Sequence, residues 1–146
     1  MKAYTSNNIR NIAVLGHGGK GKTTLCEAML YVAGATDRLG KVADGNTVLD
    51  FDAEEKRRKS SVSSAMAAIE WDNTKLNIID APGLFDFETG ASEAVRAAEA
   101  VLIVTSAGSG VDVGTEKAFK AAEKRGLAKF FAITKTDSDH RNFYKT

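Results

Sequence analysis

Eight residues constrain this chain more than any others: Gly16-His17-Gly18-Gly19-Lys20-Gly21-Lys22-Thr23. They fit the pattern G-x-x-x-x-G-K-[ST]. The apolar run Asn11–Leu15 (NIAVL) precedes them. Leu25, Ala28, Met29 and Val32 follow at i, i+3, i+4, i+7, with Gly34 as a stop. A strand feeding a glycine-rich loop that opens a helix is a device for holding phosphate. Glycines let backbone N–H groups turn inward around an anion with no Cβ in the way. The helix start adds free N–H groups and the positive end of its dipole. Lys22 brings an ammonium to the outer phosphates. The Thr23 hydroxyl is a hard oxygen suited to Mg2+, and Thr24 completes the candidate phosphate-facing set. The plain alternative is a glycine-rich turn that binds nothing; the flanking strand and helix argue against it.

Four apolar runs predict strands: Asn11–Leu15, Leu76–Ile79, Val101–Val104 and Phe130–Ile133. They are near-continuous, so burial on both faces is expected, as in a parallel sheet covered by helices. Ala65–Trp71, followed by Asp72-Asn73-Thr74, predicts a hairpin with the Leu76 strand. Ala91, Ala94, Val95 and Ala98 predict a second helix. Thr115, Ala118, Phe119 and Ala122 predict a third, ending near Gly126. The expected class is α/β, with a mostly parallel sheet and one antiparallel hairpin strand. A length of 146 residues suits one domain. Because the sequence stops soon after the last strand, a single domain incomplete at its C-terminal end is expected. Its sheet would be short of cover on one face, which favours self-association.

Composition excludes several other classes. The 20 Lys+Arg and 19 Asp+Glu leave a net charge of +1, too even for a free-standing DNA-binding footprint. One Cys rules out an internal disulfide framework or a Cys-based zinc site. No apolar run reaches the roughly 18–20 residues of a membrane span, and Met1 to Arg10 lacks a signal-peptide core. A cytoplasmic setting is expected.

Two further motifs stand at the ends of predicted strands. Asp80-Ala81-Pro82-Gly83 follows Leu76–Ile79. An acidic residue there, beside a phosphate loop, suits Mg2+, held directly or through water. The Gly83 N–H suits a γ-phosphate. Alone, these four residues also read as a turn. Thr134-Lys135-Thr136-Asp137 ends the last strand. A carboxylate at Asp137 accepts side by side from guanine N1–H and the 2-amino group, a pattern adenine lacks. The Lys135 stem can lie over a base plane. Four residues alone also read as a charged strand end. Together the three motifs predict a domain that binds GTP and GDP with Mg2+.

With these motifs in place, the chain resembles the translational GTPases, specifically the N-terminal G domain of elongation factor G and its paralogues. The resemblance runs from about Asn8 to Thr146. Gly40-Lys41-Val42-Ala43-Asp44-Gly45-Asn46-Thr47-Val48-Leu49-Asp50 resembles the segment before switch I. Ile78 to Phe87 (IIDAPGLFDF) resembles I-I-D-T-P-G-H-x-D-F, and Asn142-Phe143 resembles the N-F after N-K-M-D. The G-H-G-G-x-G-K-T loop and the stretch from Asp137 to Lys145-Thr146 are closer to the elongation-factor-G-like paralogues. The resemblance implies a single G domain of Ras-like P-loop GTPase fold, Mg-dependent GTP hydrolysis (expected to be very slow where Leu84 stands in for the family's His), switches I and II ordered by GTP, and the ribosome as partner.

The departures are specific. Gly19 stands where the family carries an acid, with Lys20 beside it. Arg58-Lys59-Ser60-Ser61 aligns with the switch I R-G-I-T, so Ser61 inherits the Mg2+ role of its Thr. Thr134 replaces an Asn. Leu84 replaces the His that orients the attacking water. Glu54–Lys59 otherwise reads as a solvated charged face. Cys26 reads as a packing residue. The His17 imidazole is expected to face solvent, and the Lys20 side chain can do so. His140 has no metal-spaced neighbour, and Trp71 and the phenylalanines read as core. Two rivals stay open: a nucleotide-dependent binding module with little hydrolysis, favoured by Leu84, and a P-loop ATPase or small-molecule kinase, disfavoured by Thr134–Asp137.

Overall fold

The computed structural model describes residues 2–83 and 88–137. The hairpin strands, β2 (Ala65–Trp71) and β3 (Thr74–Asp80), pair antiparallel with Trp71 opposite Thr74. Their turn residues, Asp72 and Asn73, both take positive φ (44° and 57°), as a tight two-residue hairpin requires. The remaining strands are β1 (Ile9–Leu15), β4 (Ala100–Ser106) and β5 (Ala128–Thr134). They complete a five-stranded sheet in the order β2-β3-β1-β4-β5, and every pair except β2–β3 is parallel.

Helices lie on both faces. α1 (Lys22–Val32) covers one side, where Val14, Cys26, Leu30, Ile69, Ile78 and Val104 pack together. α3 (Glu88–Ala97) and α4 (Val113–Lys124) cover the other, against Ala13, Leu15, Ile79, Val101 and Ile103. Alternate residues of β1 therefore serve two cores, which is why its second half, Ile12 to Leu15, is apolar throughout. Between α1 and β2 a short helix, α2 (Ala53–Arg58), carries a capping box built by Asp52 and Glu55.

Four expectations are corrected here. β5 is not buried on both faces: among the described residues it pairs only with β4, and Phe130 and Phe131 are 61% and 56% exposed. Trp71 is not core either, being 57% exposed at the hairpin end. The run 54–59 is not merely a solvated face. It forms most of α2 and its C-cap, and Glu55 is fully buried because its carboxylate gathers the N–H groups of Asp52, Val62 and Ser63. The His17 imidazole is only partly turned to solvent. Its Nδ1 is buried, and its backbone lies so close to Gly114 of α4 that a Cβ there would stand 2.7 Å from the His17 Cα.

The sheet order places β1 between β3 and β4. Its carboxyl end is thus the point where connections leave in opposite directions, the crevice where open α/β sheets bind ligands.

Candidate functional site

The phosphate loop leaves β1 through Gly16, whose φ is 138°. A Cβ there would run into the Val104 carbonyl of β4, so only glycine lets the chain cross that strand. Gly19 and Gly21 also take positive φ (72° and 86°), and Gly21 caps α1. Three ties hold the loop from outside. Thr134 Oγ1 donates to the Lys20 carbonyl (2.7 Å) and lies 3.0 Å from the Thr105 carbonyl. Lys135 Nζ donates to the Gly19 carbonyl (2.7 Å). Lys20 does not point to solvent: its Nζ pairs with Asp112 and the Ser109 hydroxyl. Thr134, in place of the family's Asn, therefore fastens the end of β5 to the loop 114 residues earlier.

A cavity of about 260 Å3 opens above the loop. Gly18, Gly19, Gly21, Lys22, Thr23, Thr24, Asp50, Lys59, Ser60, Ser61, Gly83 and Lys135 line it. Most of the residues singled out in the sequence thus converge on one space. Lys22 is buried, its Nζ 3.1 Å from the His17 carbonyl, and desolvation lowers its pKa. Gly83 is pressed against the loop: a Cβ there would collide with Lys22 Nζ and stand 2.7 Å from Gly18 N and the Gly16 carbonyl. Ala81 and Pro82 are buried beneath it, with the Ala81 N–H donating to the Val14 carbonyl (3.3 Å). Asp137 is exposed just beyond β5. Leu84 and residues 138–146, with Asn142, Phe143 and His140, lie outside the described residues.

Beside Lys22 four oxygen-bearing side chains form a chain. Thr23 Oγ1 donates to Asp80 Oδ2 (2.6 Å) and lies 3.2 Å from Ser61 Oγ, which donates to Asp50 Oδ1 (2.7 Å). All four residues are buried. Two hydroxyl protons cannot serve three contacts between four oxygens. Moreover, Asp80 Oδ1 and Asp50 Oδ2 are buried without a hydrogen-bond partner among the described residues. Such a surplus of hard oxygen acceptors fits a small divalent cation. Burial pushes the Asp80 carboxyl up to about 7, against the pull of the Thr23 hydroxyl and the Lys22 ammonium. Asp50 is raised as well, chiefly by desolvation. A cation among these oxygens would remove the cost of ionising both.

Asp50 was not among the sequence-derived metal candidates. Its only sequence signal was membership of the segment resembling the stretch before switch I. Glu27 was missed outright. It is fully buried in α1 and accepts from the N–H groups of Val48 (2.8 Å) and Leu49 (3.1 Å), which sets Asp50 in place. A second cavity, of about 540 Å3, lies between α3 and α4, lined by Leu15, Val95, Ala118 and Ala121 among others. It is larger and mostly apolar, with Ser92, Arg96, Lys117, Lys124 and Arg125 also in its lining, and the two cavities share Gly83.

The chain is similar to proteins of known family. The family described as the elongation factor Tu GTP binding domain matches residues 7–146. The mitochondrial ribosome-releasing factor 2 of Debaryomyces hansenii is 37% identical over the whole chain, which spans 17% of that protein. The elongation factor G-like protein of Mycobacterium tuberculosis is 38% identical over 92% of the chain and 19% of its own length. A solved structure from Thermus thermophilus superposes with a TM-score of 0.90 at 40% identity, over 94% of the chain and 21% of that protein. A bacterial selenocysteine-specific elongation factor, EF-Sec, gives 0.72 at 27% identity over 90% of the chain and 21% of its own. The chain thus spans about a fifth of the length of these relatives. Among the described residues no helix is long and apolar enough to cross a membrane. The chain belongs to the elongation factor Tu GTP-binding domain family and is a translational GTPase G domain of the elongation-factor-G type.

Proposed function

We propose that this chain binds GTP and GDP with Mg2+, hydrolyses GTP slowly, and does so as the switch of an elongation-factor-G-like protein on the ribosome. The observation that carries the proposal is the buried chain Asp80–Thr23–Ser61–Asp50. It joins the phosphate loop, the end of β3 and the segment after α2 through oxygens suited to one cation. Thr23 and Ser61 would hold Mg2+ by their hydroxyls, with Asp80 and Asp50 taking part directly or through water. The ion would neutralise phosphate charge as it develops.

The chain's own residues supply the rest. Gly16 to Thr24 wrap the phosphates with backbone N–H groups, and Lys22 reaches the outer ones. Gly83, already against Lys22, can donate its N–H to a γ-phosphate once a nucleotide separates the two. Water then attacks the γ-phosphorus, the bond to the β-phosphate oxygen breaks, and GDP and phosphate leave. Positioning and charge neutralisation dominate such a reaction. Loss of the γ-phosphate removes the contacts that the switch segments around Ser61 and Gly83 would make to it, so both switches change state. Asp137 selects guanine, and the Lys135 stem covers the base. The reading as one G domain belongs to the same proposal.

A second reading is a nucleotide-binding module that scarcely hydrolyses. Leu84 favours it, standing where the family has His. Binding of GDP, GTP and ATP by the full-length protein, with Mg2+ and with EDTA, tests the main proposal. Tight GTP and GDP binding that EDTA weakens, with ATP excluded, is expected. Equal ATP binding, or indifference to EDTA, would overturn it.

A further inference from the structure

We propose that Lys59 is a phosphate-facing cation that makes this site prefer the triphosphate. The inference rests on the nucleotide reading above and adds to it a residue that no sequence motif marks. Lys59 closes α2 with its backbone in the left-handed region (φ 54°, ψ 40°), its N–H donating to the Glu55 carbonyl. Glycine is the residue for that position; a lysine there carries a conformational cost that a use for its side chain would explain.

Its neighbours are committed elsewhere. Arg57 and Arg58 both pair with Glu54 on the outer face of α2, and Lys56 packs beside Gly45. Lys59 makes no ion pair among the described residues, and it lines the cavity with Gly18, Lys22, Ser60, Ser61 and Gly83. Its backbone is fixed on both sides, by the Glu55 carbonyl before it and by buried Ser61 after it. Lys59 is thus an exposed residue on an anchored segment that lines the cavity above the glycine loop and Lys22, which puts the cavity within reach of its ammonium. On the switch I side of that cavity, a cation meets the outermost phosphate first. It would add to Lys22 when a γ-phosphate is present and have less to grip in the diphosphate.

The test uses the full-length protein with Mg2+, titrated with fluorescent GDP and with a non-hydrolysable GTP analogue. Wild type is compared with Lys59→Gly and Lys59→Arg. Gly suits the left-handed backbone, so thermal melting of Lys59→Gly should equal or exceed that of wild type. Lys59→Gly should weaken the GTP analogue on the order of tenfold and GDP clearly less, and Lys59→Arg should restore most of the difference. Equal losses for the two nucleotides, or no loss, would overturn the role of Lys59 while leaving the site intact. Failure of wild type to bind either nucleotide would instead overturn the reading of the site.

Discussion

Lys20 Nζ stands 3.1 Å from Asp112 Oδ2, an ion pair that joins the phosphate loop to the first turn of α4. Both side chains are well shielded, 13% and 20% exposed. The same lysine donates to Ser109 Oγ (2.6 Å), and its carbonyl receives the Thr134 hydroxyl. Asp112 in turn caps α4 by accepting from the Thr115 N–H and hydroxyl, both at 2.9 Å. Lys20 thus braces the loop from outside, whereas Lys22 Nζ rests on the His17 carbonyl at the cavity.

Lys22→Ala should therefore abolish detectable nucleotide binding, and Lys20→Ala should reduce it less. Lys20→Ala should also lower stability by about 1–3 kcal/mol, because it leaves a shielded Asp112 carboxylate without its cation. Titration with a fluorescent GDP analogue and urea unfolding separate the two effects. Equal affinity losses would mean that Lys20, too, faces the phosphates.

Asp137→Asn should exchange guanine for xanthine. An Asn side chain can donate to the 2-oxo group of xanthine, whereas the carboxylate accepts the guanine N1–H and amino pair. Loss of that charge-assisted pair should cost on the order of 1.5–3 kcal/mol in GDP affinity. Competition of XDP against GDP on the two proteins measures it, and unchanged GDP binding by the variant would refute the assignment.

Asp80 gives a pH dependence with a definite sign. Burial raises its carboxyl to about 7, above the ordinary value of about 3.9 in an unfolded chain. Between these values the folded state keeps a proton that the unfolded state releases. Its contribution therefore falls as pH rises through that window, by at most roughly 1.4 kcal/mol per pH unit. Mg2+ needs the ionised form, so bound Mg2+ should flatten the slope. Urea unfolding of wild type minus that of Asp80→Asn, followed from about pH 4 to 7.5 with and without Mg2+, gives the curve. A difference that does not vary with pH in the Mg2+-free protein would show that Asp80 is ionised throughout.

Strands and motifs were legible because each has a local signal. Continuous apolar runs marked β1, β3 and β4, which are buried from both sides. Asp72-Asn73 marked the hairpin, and glycines marked the loop that must cross Val104. What escaped depends on residues far apart in the chain. Glu27 looks polar on a helix, yet it is buried because the N–H groups of Val48 and Leu49 meet it. Glu55 lay within a charged run and is buried for the same kind of reason. Asp50 becomes a candidate ligand only when Ser61 and Thr23 come to it. The apolar pattern of β5 misled because periodicity reports hydrophobicity, not whether a neighbour covers the strand.

That uncovered strand should make the 146-residue chain self-associate. Phe131 stacks on Phe119 of α4 (6.4 Å between centroids) yet remains more than half exposed, as does Phe130 on the opposite face. Adjacent exposed phenylalanines on an edge strand invite pairing with a second copy. Sedimentation velocity over a concentration series should show larger species, and Phe130→Thr with Phe131→Thr should shift them toward monomer. A wild-type chain that stays monomeric at every concentration would refute this.

Leu84 governs the last expectation. It follows Gly83, the residue pressed against Lys22, and stands where the family carries the His that orients the attacking water. A leucine side chain has no polar atom, so it can neither accept nor donate a hydrogen bond to that water. Positioned groups of this kind contribute about 10²–10⁴-fold, or roughly 3–5 kcal/mol of barrier. Hydrolysis should accordingly be very slow even with GTP and Mg2+ bound, and Leu84→His should accelerate it by a factor within that range. Single-turnover hydrolysis by the full-length protein with ribosomes, wild type against Leu84→His, makes the comparison. If wild type already matches the His variant, the water is positioned by backbone groups or by the ribosome, and the non-hydrolysing reading loses its main support.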